Sequence, residues 1–419
     1  MTVGENDEGD EEAAMTGALA KMRILDMTQY EAGTSCTQAL GMLGADVVKI
    51  ERPGVGDPGR GRTRGTDNRP YFLNWNANKR SLALSLDTAE GRELLLSLVP
   101  KFDVFVENYG PGVIEKLDIG YDVMRALNPA IIYARLKGFG LSGPHAQYKS
   151  YDMVAQAVGG AFSVTGTEDG PPMRPGYTVG DSGTGMQLAL AITAAYVHRV
   201  QTGEGQQIEI SMQEAVTYYM RTVIANGSDW GREAAPRRGN HAGPTVDLFP
   251  CKPFGANDYV YVMATTPRMW DDLCTGIGRP ELRDDPRFAT PQARAEHIPE
   301  LAAEITAWTR RHTKHEAMRL LGEAGVPAGA TLDTRDLFND PHLLARDFVK
   351  HVQHPTEGEI PLLGFPPRLS KSDVPLVSPP LLGEHTADVL AADLGLEPAE
   401  LERLLQAGVI GTAEVPARA

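Results

Sequence analysis

Residues 21–50, KMRILDMTQYEAGTSCTQALGMLGADVVKI, decide the fold class of this chain. A short apolar run, Ile24-Leu25-Asp26-Met27, predicts a buried strand, and residues 33–43 have the spacing of a helix. A second strand is predicted at residues 46–50. Two strands joined through a helix form a βαβ unit, whose strands are parallel. The stretch therefore predicts an α/β domain.

The same alternation of strand and helix continues along the chain. The further elements predicted are strands at residues 103–107, 130–136 and 206–210, and helices at residues 111–127, 151–161 and 182–200. Repeated βα units favour a parallel sheet that is covered by helices on both faces. We therefore expect a Rossmann-like large domain over residues 21–212.

A smaller α+β domain is predicted where the alternation weakens. The expected division is a linker at residues 213–235, a small domain at 236–330, and a return linker with the C-terminal part of the large domain at 331–419. Seven prolines between Pro355 and Pro380 disfavour a helix or a central strand in the return segment. We interpret that segment as a path over the surface that ends in a helical tail at residues 386–406.

Composition and charge narrow the classes of function. Of the 419 residues, 42% are hydrophobic and 23% are charged, which is typical of a folded globular protein. A net charge of −15 argues against binding to nucleic acid or to an anionic membrane, and no apolar run is long enough to span a bilayer. Six acidic residues among the first twenty predict a disordered acidic tail at residues 1–20. Three widely spaced cysteines favour a reducing compartment, so we expect a cytoplasmic protein.

Three short motifs suggest other chemistries but lack the context that these require. Residues 54–59 match the GxGxxG pattern of dinucleotide sites, but they follow the second predicted strand instead of the first. Residues 180–183, Gly-Asp-Ser-Gly, match the nucleophile segment of trypsin-like proteases, which are all-β proteins. The pairs His312–His315 and His351–His354 lack a third metal ligand. We therefore favour neither an NAD site, nor serine catalysis, nor a metal.

Two features of the residues themselves point to binding and catalysis. Between Lys49 and Arg80, eight basic residues stand against three acidic ones, and this local charge of +5 is typical of a polyphosphate site or of a solvated basic loop. Asp181 follows Gly180 and precedes a predicted helix. Its carboxylate is suited to capping that helix, which is the simpler interpretation, or to attacking an activated carbonyl as a nucleophile.

A set of motifs resembles the class III CoA-transferases, the family of formyl-CoA transferase and carnitine CoA-transferase. In the family's order, the matching stretches are Leu25-Asp26-Met27-Thr28 with Ala32-Gly33, residues 43–53 (LGADVVKIERP), Asn78-Lys79-Arg80-Ser81, residues 106–112 (VENYGPG), Gly180-Asp181-Ser182, Arg199 with residues 202–206 (TGEGQ), and residues 380–386 (PLLGEHT). The resemblance implies an acyl-CoA:carboxylate CoA-transferase that acts on an acyl-CoA and a small carboxylic acid, without a metal or a tightly bound cofactor. It also implies a homodimer of two interlocked rings.

The same resemblance assigns roles to individual residues. It implies that Asp181 is the catalytic nucleophile, which forms a mixed anhydride with the donor acyl group and then an aspartyl-CoA thioester. The residues that match the family's CoA contacts are Ala32, Arg52, Leu84, Asn108, Tyr109, Gly110, Lys116 and Lys149. The residues that match its substrate pocket are Glu31, Tyr151 and Gly239.

Two departures from formyl-CoA transferase bear on the substrate. Glu31 stands where that enzyme has Gln, and a charged carboxylate there is expected to repel oxalate unless it is protonated or paired. Residues 238–244, RGNHAGP, do not reproduce its glycine-rich loop. These differences favour a larger monocarboxylate or dicarboxylate as substrate.

Two alternatives remain open within the same fold. A 2-methylacyl-CoA racemase of this family uses a His-Asp pair where this chain has Tyr151-Asp152, so the basic histidine is missing. A CoA-binding protein without turnover is disfavoured by Asp181 and its flanking glycines.

Overall fold

The computed structural model describes residues 17–61 and 69–413 of the chain. Most of the predicted acidic tail, residues 1–16, lies outside the described residues, and so do Arg62 and Arg64 of the basic stretch. The described residues divide into two compact units: a larger one within residues 1–163, 174–235 and 347–419, and a smaller one made of Val164–Met173 and Pro236–Arg346.

The strands of the described residues are, in chain order, β1 (Arg23–Met27), β2 (Asp46–Glu51), β3 (Lys79–Leu84), β4 (Val104–Glu107), β5 (Ile132–Lys137), β6 (Gln207–Ser211), β7 (Val246–Pro250), β8 (Tyr259–Met263), β9 (Ala328–Ala330), β10 (Val349–His354), β11 (Gly358–Leu363) and β12 (Ile410–Gly411).

The α-helices of the same residues are α1 (Ala32–Gly41), α2 (Pro70–Trp75), α3 (Ala89–Leu98), α4 (Val113–Leu117), α5 (Tyr121–Leu127), α6 (Asp152–Val158), α7 (Thr184–Thr202), α8 (Met212–Tyr219), α9 (Arg221–Gly227), α10 (Pro267–Gly276), α11 (Pro291–Glu296), α12 (Ile298–Thr309), α13 (Lys314–Glu323), α14 (Thr334–Asn339), α15 (Pro341–Ala345), α16 (Thr386–Leu394) and α17 (Pro398–Gln406). Within the described residues, no helix combines the length and the apolar character needed to cross a lipid bilayer.

A seven-stranded sheet forms the centre of the larger unit. Its strand order is β12-β3-β2-β1-β4-β5-β6, and the neighbours pair in parallel except β12, which runs antiparallel to β3. In the register of the central strands, Leu25 lies opposite Val48 on one side and Phe105 on the other. Six parallel strands in the order 3-2-1-4-5-6 are the arrangement of a doubly wound, Rossmann-like domain. The parallel α/β fold predicted from the sequence is confirmed.

Apolar residues on both faces explain why helices cover this sheet on two sides. Successive residues of a strand point to opposite faces. Ile24 and Val104 pack with α1 and α7 on one face, whereas Leu25 and Phe105 pack with α3 and α16 on the other. Burial on both faces favours strands that are mostly apolar. In β1 and β4 the buried exceptions, Asp26 and Glu107, are paired with Lys79 and Lys137.

Some elements of the larger unit were not indicated by the apolar pattern. β3 begins with Lys79 and Arg80, whose charges are paired with Asp26 and Asp46. Residues 213–235 carry α8 and α9. The proline-rich stretch contains β11, which forms a two-stranded hairpin with β10. Among the described strands β11 has no other partner, so Pro361 lies in an edge strand, where proline is tolerated.

The smaller unit is built on a three-stranded antiparallel sheet. Its strand order is β7-β8-β9, and β8 pairs antiparallel with both neighbours. Its core combines residues of β8, α10, α12 and α13, among them Val260, Trp270, Leu301 and Leu321.

Candidate active site

The carboxyl end of the large sheet holds the candidate active site. In doubly wound sheets a crevice forms where the strand order reverses, which here is between β1 and β4. Two loops border this point, residues 28–31 after β1 and residues 108–112 after β4. Asn108 ties the loops together, because its side-chain amide accepts from Gln29 N–H and donates to Gln29 O, each at 2.8 Å. The two loops therefore form one continuous wall.

Tyr109 is held in this wall from three directions. Its hydroxyl accepts a hydrogen bond from Gln29 Nε2 at 2.7 Å, and its backbone N–H donates to the Glu107 carboxylate at 2.9 Å. Its carbonyl accepts from Lys137 Nζ at 2.6 Å, and Lys137 also pairs with Glu107 at 2.7 Å. Charged groups at the ends of β4 and β5 thus fix the loop that contains three of the predicted CoA contacts.

Asp181 lies in a wide, π-type helical turn, Val179–Gly183, that leads into α7. Glycine is required at position 180, because a Cβ atom there would lie 2.7 Å from Asp152 O. The Asp181 N–H donates to Asp152 Oδ1 at 3.2 Å. Its side chain caps neither the turn nor α7, and within the described part of the chain no hydrogen bond reaches its carboxyl group. Helix capping, the simpler interpretation of the sequence, is therefore not its role here.

Two further carboxyl groups, those of Glu31 and Asp152, lie near Asp181. Burial, and after it the negative charges of Glu31 and Asp152, raise the pKa of Asp181 to about 7. A higher pKa makes the carboxylate a stronger nucleophile. Across the ranges that the structure describes, no group of three or more His, Cys, Asp or Glu side chains is placed to hold a metal ion.

Glu31 is buried and engaged by hydroxyl groups. Its residue is 3% exposed. The Thr178 hydroxyl donates to Glu31 Oε1, and the Tyr71 hydroxyl donates to Glu31 Oε2 at 3.4 Å. Burial raises the pKa of Glu31, although these hydrogen bonds oppose the rise. The sequence predicts that a charged, unpaired Glu31 repels oxalate. In the structure burial raises the pKa of Glu31, and its carboxyl group is not unpaired, because it accepts two hydrogen bonds.

A cleft of about 340 Å³ opens beside Asp181. It also contains Gln29, Tyr30, Lys137 and Tyr148 among its lining residues. The predicted residues that line it are Ala32, Asn108, Tyr109, Gly110, Lys149, Tyr151 and Asp181. Lys149 is exposed and so presents a cation of the kind that binds phosphate. The structure thus brings the proposed nucleophile together with much of the predicted CoA site.

Other predicted residues do not line this cleft. Arg52 follows β2 and forms an exposed ion pair with Asp87 at 2.9 Å. Leu84 ends β3 and is buried in the core, and Lys116 is exposed on α4. Gly239 belongs to the smaller unit, where it lines a cleft of about 390 Å³. The roles implied for these four residues remain predictions.

The basic stretch between residues 49 and 80 is partly neutralised inside the protein. Three of its cations form buried ion pairs, namely Lys49–Asp57 at 2.8 Å, Arg60–Glu51 at 2.7 Å and Lys79–Asp26 at 2.9 Å. Glu51 and Asp57 belong to the three acidic residues already subtracted in the local charge of +5, whereas Asp26 lies outside the stretch. The pairing of Lys79 with Asp26 on the adjacent strand therefore lowers the positive charge that a polyphosphate would meet below +5.

Sequence reasoning missed four residues that shape the site: Gln29, Tyr30, Tyr71 and Thr178. Gln29 and Tyr30 come shortly after β1, and the rule that ligands bind at the carboxyl end of the central strands could have identified them. Tyr71 and Thr178 approach Glu31 from 40 and 147 residues away along the chain. No local pattern marks such contacts.

Comparison with known proteins finds relatives over nearly the whole chain. The family model described as CoA-transferase family III matches residues 19–386. The formyl-CoA:oxalate CoA-transferase of Streptomyces avermitilis is 43% identical over 413 residues, which cover 94% of this chain and 100% of that protein. The protein of the same name from Streptomyces coelicolor is 41% identical over 410 residues, which cover 94% of this chain and 99% of that protein.

Solved structures share the same fold. A CAIB/BAIF family protein from Brucella suis matches with a TM-score of 0.80 at 30% identity, covering 90% of this chain and 100% of that chain. Rv3272 from Mycobacterium tuberculosis matches with a TM-score of 0.76 at 30% identity, covering 89% of this chain and 98% of that chain.

Proposed function

This chain belongs to CoA-transferase family III, and we propose that it moves coenzyme A from an acyl-CoA to a free carboxylic acid through covalent intermediates on Asp181. The carboxyl group of Asp181 carries the proposal. It receives no hydrogen bond from the described residues, has a raised pKa, and opens into the cleft that Asn108, Tyr109 and Gly110 line. The relatives support CoA transfer as the class of reaction.

The proposed reaction begins when the Asp181 carboxylate attacks the thioester carbonyl of the donor. A carbon–oxygen bond forms, the carbon–sulfur bond breaks, and CoA leaves as a thiolate from the resulting mixed anhydride. The thiolate then attacks the acyl carbon of Asp181, which gives an aspartyl-CoA thioester and releases the donor acid. Each step exchanges one leaving group for another, so neither a redox partner nor a net proton is needed.

The second half of the reaction reverses this order with a new acid. The acceptor carboxylate attacks the aspartyl-CoA carbonyl, displaces the CoA thiolate and forms a second mixed anhydride. Attack of the thiolate on the acceptor carbonyl gives the product acyl-CoA and restores the Asp181 carboxylate. Gly180 and Gly183, on either side of the nucleophile, allow Asp152 and Tyr219 to pack closely against this turn.

Formyl-CoA and oxalate are the first donor and acceptor that we propose, because the relatives at 43% and 41% identity carry that name. Burial raises the pKa of Glu31 and so reduces the fraction that is ionised, while the hydrogen bonds from Thr178 and Tyr71 stabilise the carboxylate that remains. Both effects weaken the repulsion of oxalate by Glu31. A larger monocarboxylate or dicarboxylate, which the sequence favoured, is the second candidate.

We also propose a cytoplasmic homodimer of interlocked chains without a tightly bound cofactor. The resemblance of the motifs supports the assembly and the roles of Arg52, Leu84, Lys116, Lys149, Tyr151 and Gly239 toward CoA and substrate. The three cysteines are free thiols in the buried interior, in agreement with a reducing compartment.

Intact-protein mass spectrometry tests the nucleophile. Wild-type protein and Asp181→Ala are mixed with formyl-CoA, acetyl-CoA or succinyl-CoA and then treated with hydroxylamine. We expect an adduct that requires Asp181 and that hydroxylamine removes, while Asp181→Ala still binds CoA because the groups of residues 108–110 remain in place. Asp122→Ala, which removes an exposed carboxylate on α5, is the control and is expected to keep full activity.

Two outcomes would contradict this mechanism. Turnover by Asp181→Ala at the wild-type rate would exclude Asp181 as the nucleophile. Absence of an adduct with every donor would redirect the test to proton exchange at C2 of a 2-methylacyl-CoA, the reaction of the racemase alternative.

A further inference from the structure

Tyr30, in the loop between β1 and α1, has a backbone conformation that is rare for a residue with a side chain. Its φ angle is 59°, in the left-handed region where Cβ crowds the backbone. Its side chain lines the cleft beside Asp181. Such conformations persist where the surrounding structure enforces them, and they concentrate at functional sites.

Hydrogen bonds fix the Tyr30 peptide on both sides. The Tyr30 N–H donates to Asp57 Oδ1 at 3.1 Å, and the same oxygen accepts from the Gly59 N–H at 2.7 Å. The carbonyl oxygen of Tyr30 accepts from the Thr34 hydroxyl at 2.5 Å. Thr34, which bonds the Tyr30 carbonyl, belongs to α1, whereas Asp57, which accepts from the Tyr30 N–H, lies outside that helix.

Lys49 secures Asp57 in turn. Its Nζ lies 2.8 Å from Asp57 Oδ2, and the two side chains are 0% and 1% exposed. The same Nζ donates to Thr28 O at 2.7 Å. One buried cation therefore links Asp57, whose carboxylate holds Tyr30, with Thr28, which lies two residues before Tyr30. Desolvation offsets the attraction within a buried ion pair, so such a pair is weak evidence of a stabilising role. A positional role accounts better for its presence.

The glycine-rich loop after β2 brings Asp57 to this place. Gly56 has a φ angle of 74°, and the Asp57 N–H donates to Glu51 Oε1 at 3.1 Å. Arg60 pairs with the same Glu51 at 2.7 Å and fixes the end of the loop. The GxGxxG pattern at residues 54–59, which matches a dinucleotide motif in sequence, here serves to position a carboxylate.

The ring of Tyr30 meets the ring of Tyr151 beside Asp181. Their centroids are 6.1 Å apart and their planes are 85° from each other, an edge-to-face contact. Tyr30 is 40% and Tyr151 is 63% exposed, and both line the cleft that contains Asp181. This is the position from which a side chain limits the access of water to Asp181.

We propose that Lys49 and Asp57 are a positioning pair that holds Tyr30 in its left-handed conformation, so that Tyr30 and Tyr151 shield the acyl intermediates on Asp181 from hydrolysis. The inference rests on the proposed function. In the competing reaction, water adds to the acyl carbon of the mixed anhydride and the bond from that carbon to the Asp181 oxygen breaks. The products are the free acid and the Asp181 carboxyl group, so the CoA thiolate has no activated carbonyl left to attack and leaves as free CoA.

The ratio of hydrolysis to transfer measures this role. Wild-type protein, Asp57→Ala, Tyr30→Ala and the double variant are supplied with formyl-CoA and oxalate, and both free CoA and the product acyl-CoA are quantified. Each single variant is expected to raise the ratio roughly tenfold or more, because a displaced ring admits water. The double variant is expected to match Tyr30→Ala, since Asp57 acts through Tyr30.

Asp103→Ala is the matched control. Asp103 also pairs with a cation, Arg199, and accepts a backbone N–H, that of Arg23 at 2.8 Å, but it precedes β4 at the opposite end of the sheet. This variant is expected to lower the melting temperature without changing the ratio. Asp57→Asn keeps an oxygen for the Tyr30 N–H, and its ratio is expected to lie between those of wild-type protein and Asp57→Ala.

The outcomes separate this inference from the proposed function. An unchanged ratio in both single variants, or single effects that multiply in the double variant, overturns the inference while the Asp181 adduct still forms. Absence of any adduct in wild-type protein refutes the proposed function and the inference together. If Asp57→Ala does not fold, Tyr30→Ala decides alone, because its side chain is partly exposed and can be removed without a buried cavity.

Discussion

At the scale of single residues, Asp181 determines how the reaction depends on pH. Burial, followed by the charges of Glu31 and Asp152, raises its pKa to about 7. Only the carboxylate attacks a thioester, so the rate of adduct formation is expected to rise with pH and to level off above about 7. Below that pH the rate is expected to fall about tenfold for each pH unit. Rapid-quench mass spectrometry between about pH 5 and 9 measures this rate, and a profile without an acid limb would contradict the expectation.

Substitution of Glu31 separates the charge of that residue from the effect of burial. Glu31→Gln keeps the size of the side chain and an oxygen for Thr178, but the new side chain cannot ionise. Loss of a neighbouring negative charge lowers the pKa of Asp181, so the pH of half-maximal rate is expected to fall. Glu93→Gln, an exposed substitution on α3, is the control and is expected to leave the profile unchanged. Equal profiles for Glu31→Gln and wild-type protein would show that Glu31 carries no charge near Asp181.

At the scale of elements, the parallel strands position the loops that follow their carboxyl ends, and these loops form the wall of the candidate site. Asn108 joins the β1 and β4 loops by two hydrogen bonds to Gln29. Asn108→Ala releases this link, and it is expected to raise KM for the acyl-CoA about tenfold, equivalent to about 1.4 kcal/mol, with a smaller effect on kcat. Steady-state kinetics at varied acyl-CoA concentration measures both constants.

A second asparagine supplies the matched control for this prediction. Asn128 also links two segments, donating to Phe102 O at 3.0 Å and accepting from the Ala130 N–H at 3.1 Å, but it precedes β5 at the amino end of the sheet. Asn128→Ala is expected to lower the melting temperature and to leave KM unchanged. Equal changes of KM in the two variants would assign the effect of Asn108 to stability instead of CoA binding.

Elements with continuous apolar burial could be predicted from the sequence, and elements that depend on distant charges could not. β1 and β4 are buried along almost their whole length, and their short apolar runs indicate this directly. β3 opens with Lys79 and Arg80, which are acceptable in a strand only because Asp26 and Asp46 lie on its neighbours. β12 has two residues and no measurable periodicity.

In the candidate site, too, some residues could be predicted from the sequence around them, and others, which come from distant parts of the chain, could not. Asp181 could be selected from the sequence because it follows Gly180 and precedes a predicted helix, and Glu31 could be selected only because the resemblance places it where formyl-CoA transferase has Gln. Tyr71 and Thr178, which hydrogen-bond Glu31, come from remote parts of the chain. The sequence likewise shows Lys49 only as one positive charge among several, since its pairing with Asp57 depends on the path of a loop.

At the scale of the whole molecule, α7 carries apolar side chains that the described chain leaves in contact with solvent. Met186, Leu190, Val197 and Val200 are exposed, and their spacing of four, seven and three residues places them on one side of the helix. Leu190 is 72% exposed. Monomeric proteins rarely leave such a row uncovered. A second copy of the chain, as in the proposed dimer, is the partner that we expect to cover it.

Leu190→Asp tests whether the exposed apolar row of α7 forms the dimer interface. A charge in an apolar interface is unfavourable, so the variant is expected to have the mass of one chain, whereas wild-type protein has the mass of two chains. Light scattering coupled to size-exclusion chromatography measures both masses. Leu127→Asp replaces an isolated exposed leucine at the end of α5, and this control is expected to remain dimeric. A dimeric Leu190→Asp would assign the interface to another surface.

Interlocking of the two chains leads to a stricter prediction than dimerisation alone. Two linked rings cannot separate unless one of them opens, so subunits of a folded interlocked dimer do not exchange. Isotope-labelled and unlabelled dimers, mixed and kept for a day, are expected to give no hybrid dimer in native mass spectrometry. After unfolding and refolding of the same mixture, random pairing is expected to give hybrids as about half of the dimers. Hybrids that form without denaturant would show that the chains associate side by side, and they would leave the Asp181 chemistry untouched.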